Sequence, residues 1–152
     1  MDFEILTGQL LKIIHVLFVI AGVGGALAQL SLLRRFRTAS AAEQEASEKM
    51  ALAVAKYLEF YGLTIALVTG LVLGIFTNAF GTGGWLHAKS ALVLVLTGLA
   101  HIDLRQLKRM IALRAEGKVA EADQVKSSHL LFGGFNMLLT LIIVALAVIK
   151  PF

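Results

Sequence analysis

Three runs of this chain carry no Asp, Glu, Lys or Arg at all: 21 residues between Lys12 and Arg34, 29 from Phe60 to Ala88, and 23 from Ser127 to Ile149. About 20 apolar residues, rising about 1.5 Å each as a helix, cross the hydrocarbon core of a bilayer. Inside hydrocarbon a backbone must satisfy its own polar groups, so each run reads as a helix. A further stretch between Lys89 and Asp103 holds only 13 uncharged residues. It spans only if Lys89 faces protein or a cavity rather than lipid. The expectation is an all-α membrane protein, a four-transmembrane-helix up-down-up-down bundle. It forms one integral-membrane domain over residues 1–152, with spans at about 5–33, 50–76, 85–104 and 128–149.

Composition agrees: 58% of residues are hydrophobic and 16% charged, against about 45–50% and about 25% in soluble domains. A water-facing globule is excluded. The net charge of +4 does not mark a nucleic-acid binder, because the 14 Lys and Arg residues are clustered. Five fall in Arg34–Lys56 and six in Arg105–Lys126, leaving Lys12, Lys89 and Lys150 elsewhere. That is the asymmetry that sets membrane topology. Loops 34–49 and 105–127 are expected on the cytoplasmic side and both termini outside. The start Met1-Asp2-Phe3-Glu4 is acidic where a signal peptide would be basic, so no cleaved segment is expected. The absence of cysteine excludes disulfides, iron–sulfur clusters and c-type haem attachment.

Between the spans, Thr38–Lys49 and the stretch around Gly117 read as helical extensions into water, and the glycine-rich Thr77–Gly84 as a tight turn. Gly70 with Gly74, and Gly22 with Ala26, are small-residue pairs where helices can pack closely. Glu59, with Lys56 three residues before it, reads either as a solvated helix-end ion pair or as a carrier of protons to or from an inner site, and Tyr57 and Tyr61 suit an interfacial aromatic belt.

All four histidines lie within the spans or at their edges, where ionisable groups face the bundle interior or a cavity. His15 precedes Arg34 by 19 residues and His87 precedes Arg105 by 18, so both sit about 27–28 Å from the inner face. His101 and His129 lie about 5–6 Å from it. His87 and His101 are 14 residues apart, which leaves them about 40° out of phase on one helix face and about 21 Å apart. That spacing resembles the ligand helices of membrane cytochromes b. His15 and His87, on diagonal helices about 13 Å apart, are candidate axial ligands of an outer haem. His101 and His129, on neighbouring helices, are candidates for an inner haem that needs a splayed arrangement. Each histidine is equally readable as a hydrogen-bonded core or interface residue. Lys12 and Lys89 lie near the outer level, where a cation can hold a haem propionate or a porphyrin carboxylate, or snorkel to the interface.

Four stretches together carry a family resemblance. They are Leu10-Leu11-Lys12-Ile13-Ile14-His15, Gly84-Trp85-Leu86-His87-Ala88-Lys89, His101, and the closing Val148-Ile149-Lys150-Pro151-Phe152. In these the chain resembles the HemJ-type protoporphyrinogen IX oxidase family, oxygen-independent four-helix bacterial membrane proteins that bind haem b. The resemblance implies that His15 is an axial haem ligand and that Lys12, His87 and Lys89 belong to the functional core. It also implies a porphyrinogen substrate and a bacterial inner-membrane location. Two departures stand out. The family's Pro-Gly-Met element is Tyr61-Gly62-Leu63 here, and its Asn-Glu-x-Pro-Thr element is Asn136-Met137-Leu138-Leu139-Thr140.

The functional expectation is a haem b membrane oxidoreductase or electron-transfer protein, with one or two haems and a lipid-dissolved acceptor such as quinone. The alternative is a non-catalytic accessory subunit of a respiratory or photosynthetic membrane complex, with or without haem. A homo-oligomer or a larger complex is compatible with either.

Overall fold

The computed structural model describes residues 3–81 and 84–149. Lys150, Pro151 and Phe152, which belong to the closing motif quoted above, lie outside the described residues, as do Met1, Asp2, Thr82 and Gly83. Four helices carry almost everything else: α1 (Phe3–Arg35), α2 (Ala41–Phe76), α3 (Gly84–Ala115) and α4 (Val119–Ile149). Each is long and apolar enough to cross a membrane, and the described residues contain no strand.

At the charged end the helices continue beyond the spans, as the helical extensions read in Thr38–Lys49 and around Gly117 require. α2 starts at Ala41 rather than 50, α3 continues to Ala115 rather than 104, and α4 starts at Val119 rather than 128. What remains of the two charged loops is residues 36–40 and 116–118. Local chemistry sets these ends. Ser40 heads α2 with a capping box: its backbone N–H donates to the Glu43 carboxylate at 2.9 Å while its hydroxyl accepts from the Glu43 N–H. α3 stops where Gly117 adopts φ 76°, and the Lys118 N–H donates back to the Leu113 carbonyl at 2.9 Å. At the other end the chain turns through Asn78 (φ 52°) and one 3₁₀ turn, Ala79–Gly81.

Helices adjacent in sequence pack side by side, and α4 closes against α1. α1 and α3 make no backbone contact, nor do α2 and α4, so these pairs are the diagonals of a square. The inward residues recur at alternating steps of three and four. On α3 they are Leu86, Leu96, Ala100, Asp103, Leu107 and Met110; on α4, Ala122, Lys126, His129, Gly133, Asn136, Thr140 and Ile143. A seven-residue repeat of this kind is the pattern of left-handed bundles crossing at about 20°.

α1 and α2 approach most closely where glycines meet. A Cβ on Gly62 would lie 2.6 Å from the Gly22 nitrogen, and one on Gly25 would lie 2.6 Å from the Glu59 nitrogen. The close-packing partner of Gly22 is therefore Gly62 across the interface, with Gly25 beside it. Gly70 and Gly74 do not seat a helix. They make room for the rings of His15 and Phe80.

α2 is interrupted by a wider, π-helical turn over Ala55–Phe60. Its buried residues Ala51, Ala55, Glu59 and Leu63 are four apart throughout. An unbroken α-helix would rotate such a series off the core by about 40° per step. The wider turn absorbs the excess and turns Glu59 inward.

At the charged end Glu48 is fully buried and ties three helices together. Its carboxylate accepts two hydrogen bonds from Arg114 of α3, at 2.8 and 2.7 Å, and one from Lys126 of α4 at 3.3 Å. Arg114 also reaches Asp123 at 2.9 Å. Removing one partner of a buried pair strands the remaining charges. Glu48→Ala is expected to destabilise the bundle by about 3 kcal/mol, read as a lower melting temperature in detergent. Gly62→Leu should cost about 2 kcal/mol by forcing α1 and α2 apart, whereas Gly24→Ala, where a Cβ meets nothing within 4 Å, should leave the melting temperature unchanged.

Candidate functional site

Toward the uncharged end the four helices border a partly open cavity of about 300 Å³, with the exposed Val16 and Ile20 on its rim. Its wall is apolar, built from residues such as Val19, Val93, Leu96, Ile143 and Val144, and it is broken by His15 of α1, Lys89 of α3 and Thr140 of α4. Lys89 is near enough to His15 for their charges to interact. The His15 ring is seated against α2 in the space left by Gly70, where a Cβ would lie 2.9 Å from its Cε1.

The tautomer of His15 follows from its neighbour. His15 Nδ1 lies 3.2 Å from Thr69 Oγ1. The Thr69 hydroxyl donates its own proton to the Ile65 carbonyl at 2.7 Å, and a carbonyl can only accept. With that proton directed at Ile65, Thr69 is placed to accept from His15 Nδ1–H, the tautomer whose lone pair is on Nε2; the Ala66 backbone also bonds the ring. An imidazole whose second N–H is held in this way is the usual form of a metal-ligating histidine.

The other predicted residues are placed differently. His87 is exposed, its ring packed edge-on to Phe80 at 5.3 Å, and it does not line the cavity. His101 is exposed and sits edge-on to Phe60 at 4.5 Å. The two do share a helix face, but that face points outward. The inward stripe of α3 carries Lys89 and Asp103 instead. Lys12 is exposed and borders a separate open groove with Gln9 and Phe76, away from Lys89. The structure thus joins His15 with Lys89 and does not gather His15, His87, Lys12 and Lys89 around one cavity.

His129 is buried, and both its nitrogens are engaged: Nε2 with Gln29 Oε1 at 3.0 Å, Nδ1 with Gln106 Oε1 at 3.2 Å. Asp103 Oδ1 is 3.4 Å from Nδ1. The structure gathers a polar cluster there that sequence reasoning did not assemble. Gln29 Nε2 reaches Glu59 Oε2 at 3.4 Å, and Asn136 Nδ2 donates to Asp103 Oδ2 at 2.8 Å. Glu59 does not pair with Lys56 as its spacing suggested. The π-helical turn carries Glu59 into the core, while Lys56 turns out over the Tyr57 ring, 4.8 Å from its centroid. On α3 the signal is the seven-residue phase. Counting back from Ala100 and Leu107 puts Lys89, Val93, Leu96 and Asp103 on one stripe and leaves His87 and His101 off it.

Comparison with known proteins now bears on the site. A family model described as "Predicted integral membrane protein (DUF2269)" matches residues 9–151. The chain belongs to the DUF2269 family. This DUF2269 protein is also 32% identical to a protoporphyrinogen IX oxidase of Helicobacter pylori strain J99, over 98% of this chain and 99% of that protein. No solved structure matches it.

Thr69→Val keeps the shape of the side chain and removes the acceptor. By the loss of about 1 kcal/mol of hydrogen bonding, nitrogen-15 NMR of the imidazoles should show His15 as the Nδ1–H form in the unsubstituted protein and as a mixture of tautomers in the variant.

Proposed function

We propose that this DUF2269 protein is a haem b-binding membrane oxidoreductase that oxidises a porphyrinogen and passes the electrons to a lipid-dissolved acceptor such as quinone. The observation that carries this is the presentation of His15: its Nδ1 lies 3.2 Å from Thr69 Oγ1, whose own proton goes to the Ile65 carbonyl, and an apolar cavity lies beside it with Lys89 in its wall. The near-full-length similarity to a protoporphyrinogen IX oxidase supports the same reading. Orientation follows the charge bias, with the charged end cytoplasmic, both termini outside, and the chain in a bacterial inner membrane.

The donor set suits haem b: one neutral imidazole to ligate iron, one ammonium to meet a carboxylate, and otherwise hydrocarbon. When bound, haem b supplies a one-electron redox centre. The chain's own residues do the rest. Thr69 holds the His15 ring in one tautomer and orientation, and Gly70 leaves it space. Lys89, half-buried, offers its ammonium to a propionate or to a carboxylate of the tetrapyrrole substrate. The valine and isoleucine wall excludes water and raises the strength of both interactions. With His101 outside the core and both His129 nitrogens occupied, the reading is one haem, ligated by His15.

Gentle detergent extraction followed by haem quantitation checks this. About one haem per chain is expected, with the Soret band lost in His15→Ala and kept in His87→Ala and His129→Ala. A colourless protein, or a His15→Ala variant with full haem content, overturns the reading. Lys89→Ala with haem retained should lose porphyrinogen oxidation; if it keeps full turnover, Lys89 does not hold the substrate.

A further inference from the structure

Between the His15 cavity and the charged end lies a second, smaller space of about 10 Å³, room for about one water. Gln29, Glu59, Asp103, Asn136 and Thr140 line it, and it shares Val23, Leu63, Leu96 and Thr140 with the larger cavity. Two acceptors here, Asp103 Oδ1 and Asn136 Oδ1, are buried without a hydrogen-bond partner. A buried orphan acceptor costs about 1–3 kcal/mol unless a donor reaches it. Two such atoms beside one water-sized space call for a shared donor.

The charges of the cluster point the same way. Glu59, Asp103 and His129 are its titratable members, and Glu59 is near enough to Asp103 to be repelled by it. Around Glu59, α1 offers Gln29, α3 offers Asp103, and α4 offers Asn136 and, through Gln29, His129. No Lys or Arg forms an ion pair with Glu59 or Asp103 among the described residues. Lys126 and Arg114 are committed to Glu48. With both carboxyls ionised and the imidazole neutral, the cluster would hold two uncompensated negative charges inside a membrane-spanning bundle, which is prohibitive. Neutrality needs two protons shared among the three groups. Glu59 has the poorest support for a negative charge, a single 3.4 Å contact from an amide.

We propose that this cluster is a proton-holding site: Glu59 carries an exchangeable proton at neutral pH, beside one internal water that donates to Asp103 Oδ1 and Asn136 Oδ1. Its shared wall with the His15–Lys89 cavity puts it on the route by which protons released there reach the charged end. That second step rests on the oxidase reading above. The first does not.

Infrared spectroscopy of the full chain in lipid nanodiscs, with or without haem, tests the first step. At neutral pH, where an exposed carboxyl is ionised, the C=O stretch of a protonated carboxyl should be present, shift in D₂O, vanish in Glu59→Gln and persist in Glu45→Gln. An unsubstituted protein without the band overturns the proposal whatever the variants do. A band that survives Glu59→Gln overturns the assignment to Glu59. Loss of the band on adding sodium, with a higher melting temperature, means that the site binds a monovalent cation and also overturns it. For the second step, Glu59→Gln with haem content intact should slow porphyrinogen oxidation about a hundred-fold, the scale of a lost proton-transfer group. Unchanged turnover overturns the route and leaves the proton site to the infrared result.

Discussion

A polar side chain inside a bilayer can hide only against another helix, and the whole bundle is arranged around that constraint. Gln29, Glu59, Asp103, His129, Asn136 and Thr140 are all buried, and each sits on the inward side of its helix. Apolar side chains gain nothing by leaving lipid for the core, because lipid tails are equally apolar. Large residues such as Leu131, Ile75 and Val148 accordingly stay on the outside. What drives the helices together is close backbone approach at Gly22, Gly25 and Gly62, together with the pairing of polar groups that have nowhere else to go.

Much of the architecture was legible from hydropathy alone. Four helices, their order, and the diagonal placement of α1 and α3 follow from long uncharged runs joined by short connections. The charged flanks around Glu43, Glu45 and Lys108 were readable as helix continuing past the membrane, and only the exact ends were not. Ser40 with Glu43 three residues on was a readable start signal for α2, as Gly117 was a stop signal for α3. For the site, His15 was found by its residue type, and its inward orientation agrees with the stripe through Gly22, Gly25 and Gln29. His87 and His101 were grouped correctly on one face of α3. Which face that was depended on the phase of Leu96, Ala100, Leu107 and Met110, and small apolar residues mark phase weakly when the surrounding face is apolar too. The inward placement of Glu59 escaped for a different reason. No sequence periodicity announces a π-helical turn, and without it residue 58 rather than 59 would fall on the inward stripe.

Along its length the core divides into three chemical layers. At the charged end one carboxylate, Glu48, joins Arg114 and Lys126 and pins α2 to α3 and α4. In the middle, Gln29, Glu59, Asp103, His129 and Asn136 form a polar cluster with no Lys or Arg among them. Toward the other end the core opens into hydrocarbon walls with a single imidazole and a single ammonium. The first layer fastens the bundle, and the last is walled almost wholly by apolar side chains.

The middle layer is the hardest to explain as scaffolding. Pairing across helices accounts for the bonded members of this layer, but it leaves Asp103 Oδ1 and Asn136 Oδ1 without hydrogen-bond partners. Lys89 and Asp103 also sit on the same stripe of α3, 14 residues and so about 21 Å apart. One rigid helix therefore sets the height of the cavity's cation and of the polar cluster together. A change that slides or rotates α3 moves both, so the two layers are mechanically coupled even though only apolar side chains and Thr140 lie in the wall between them.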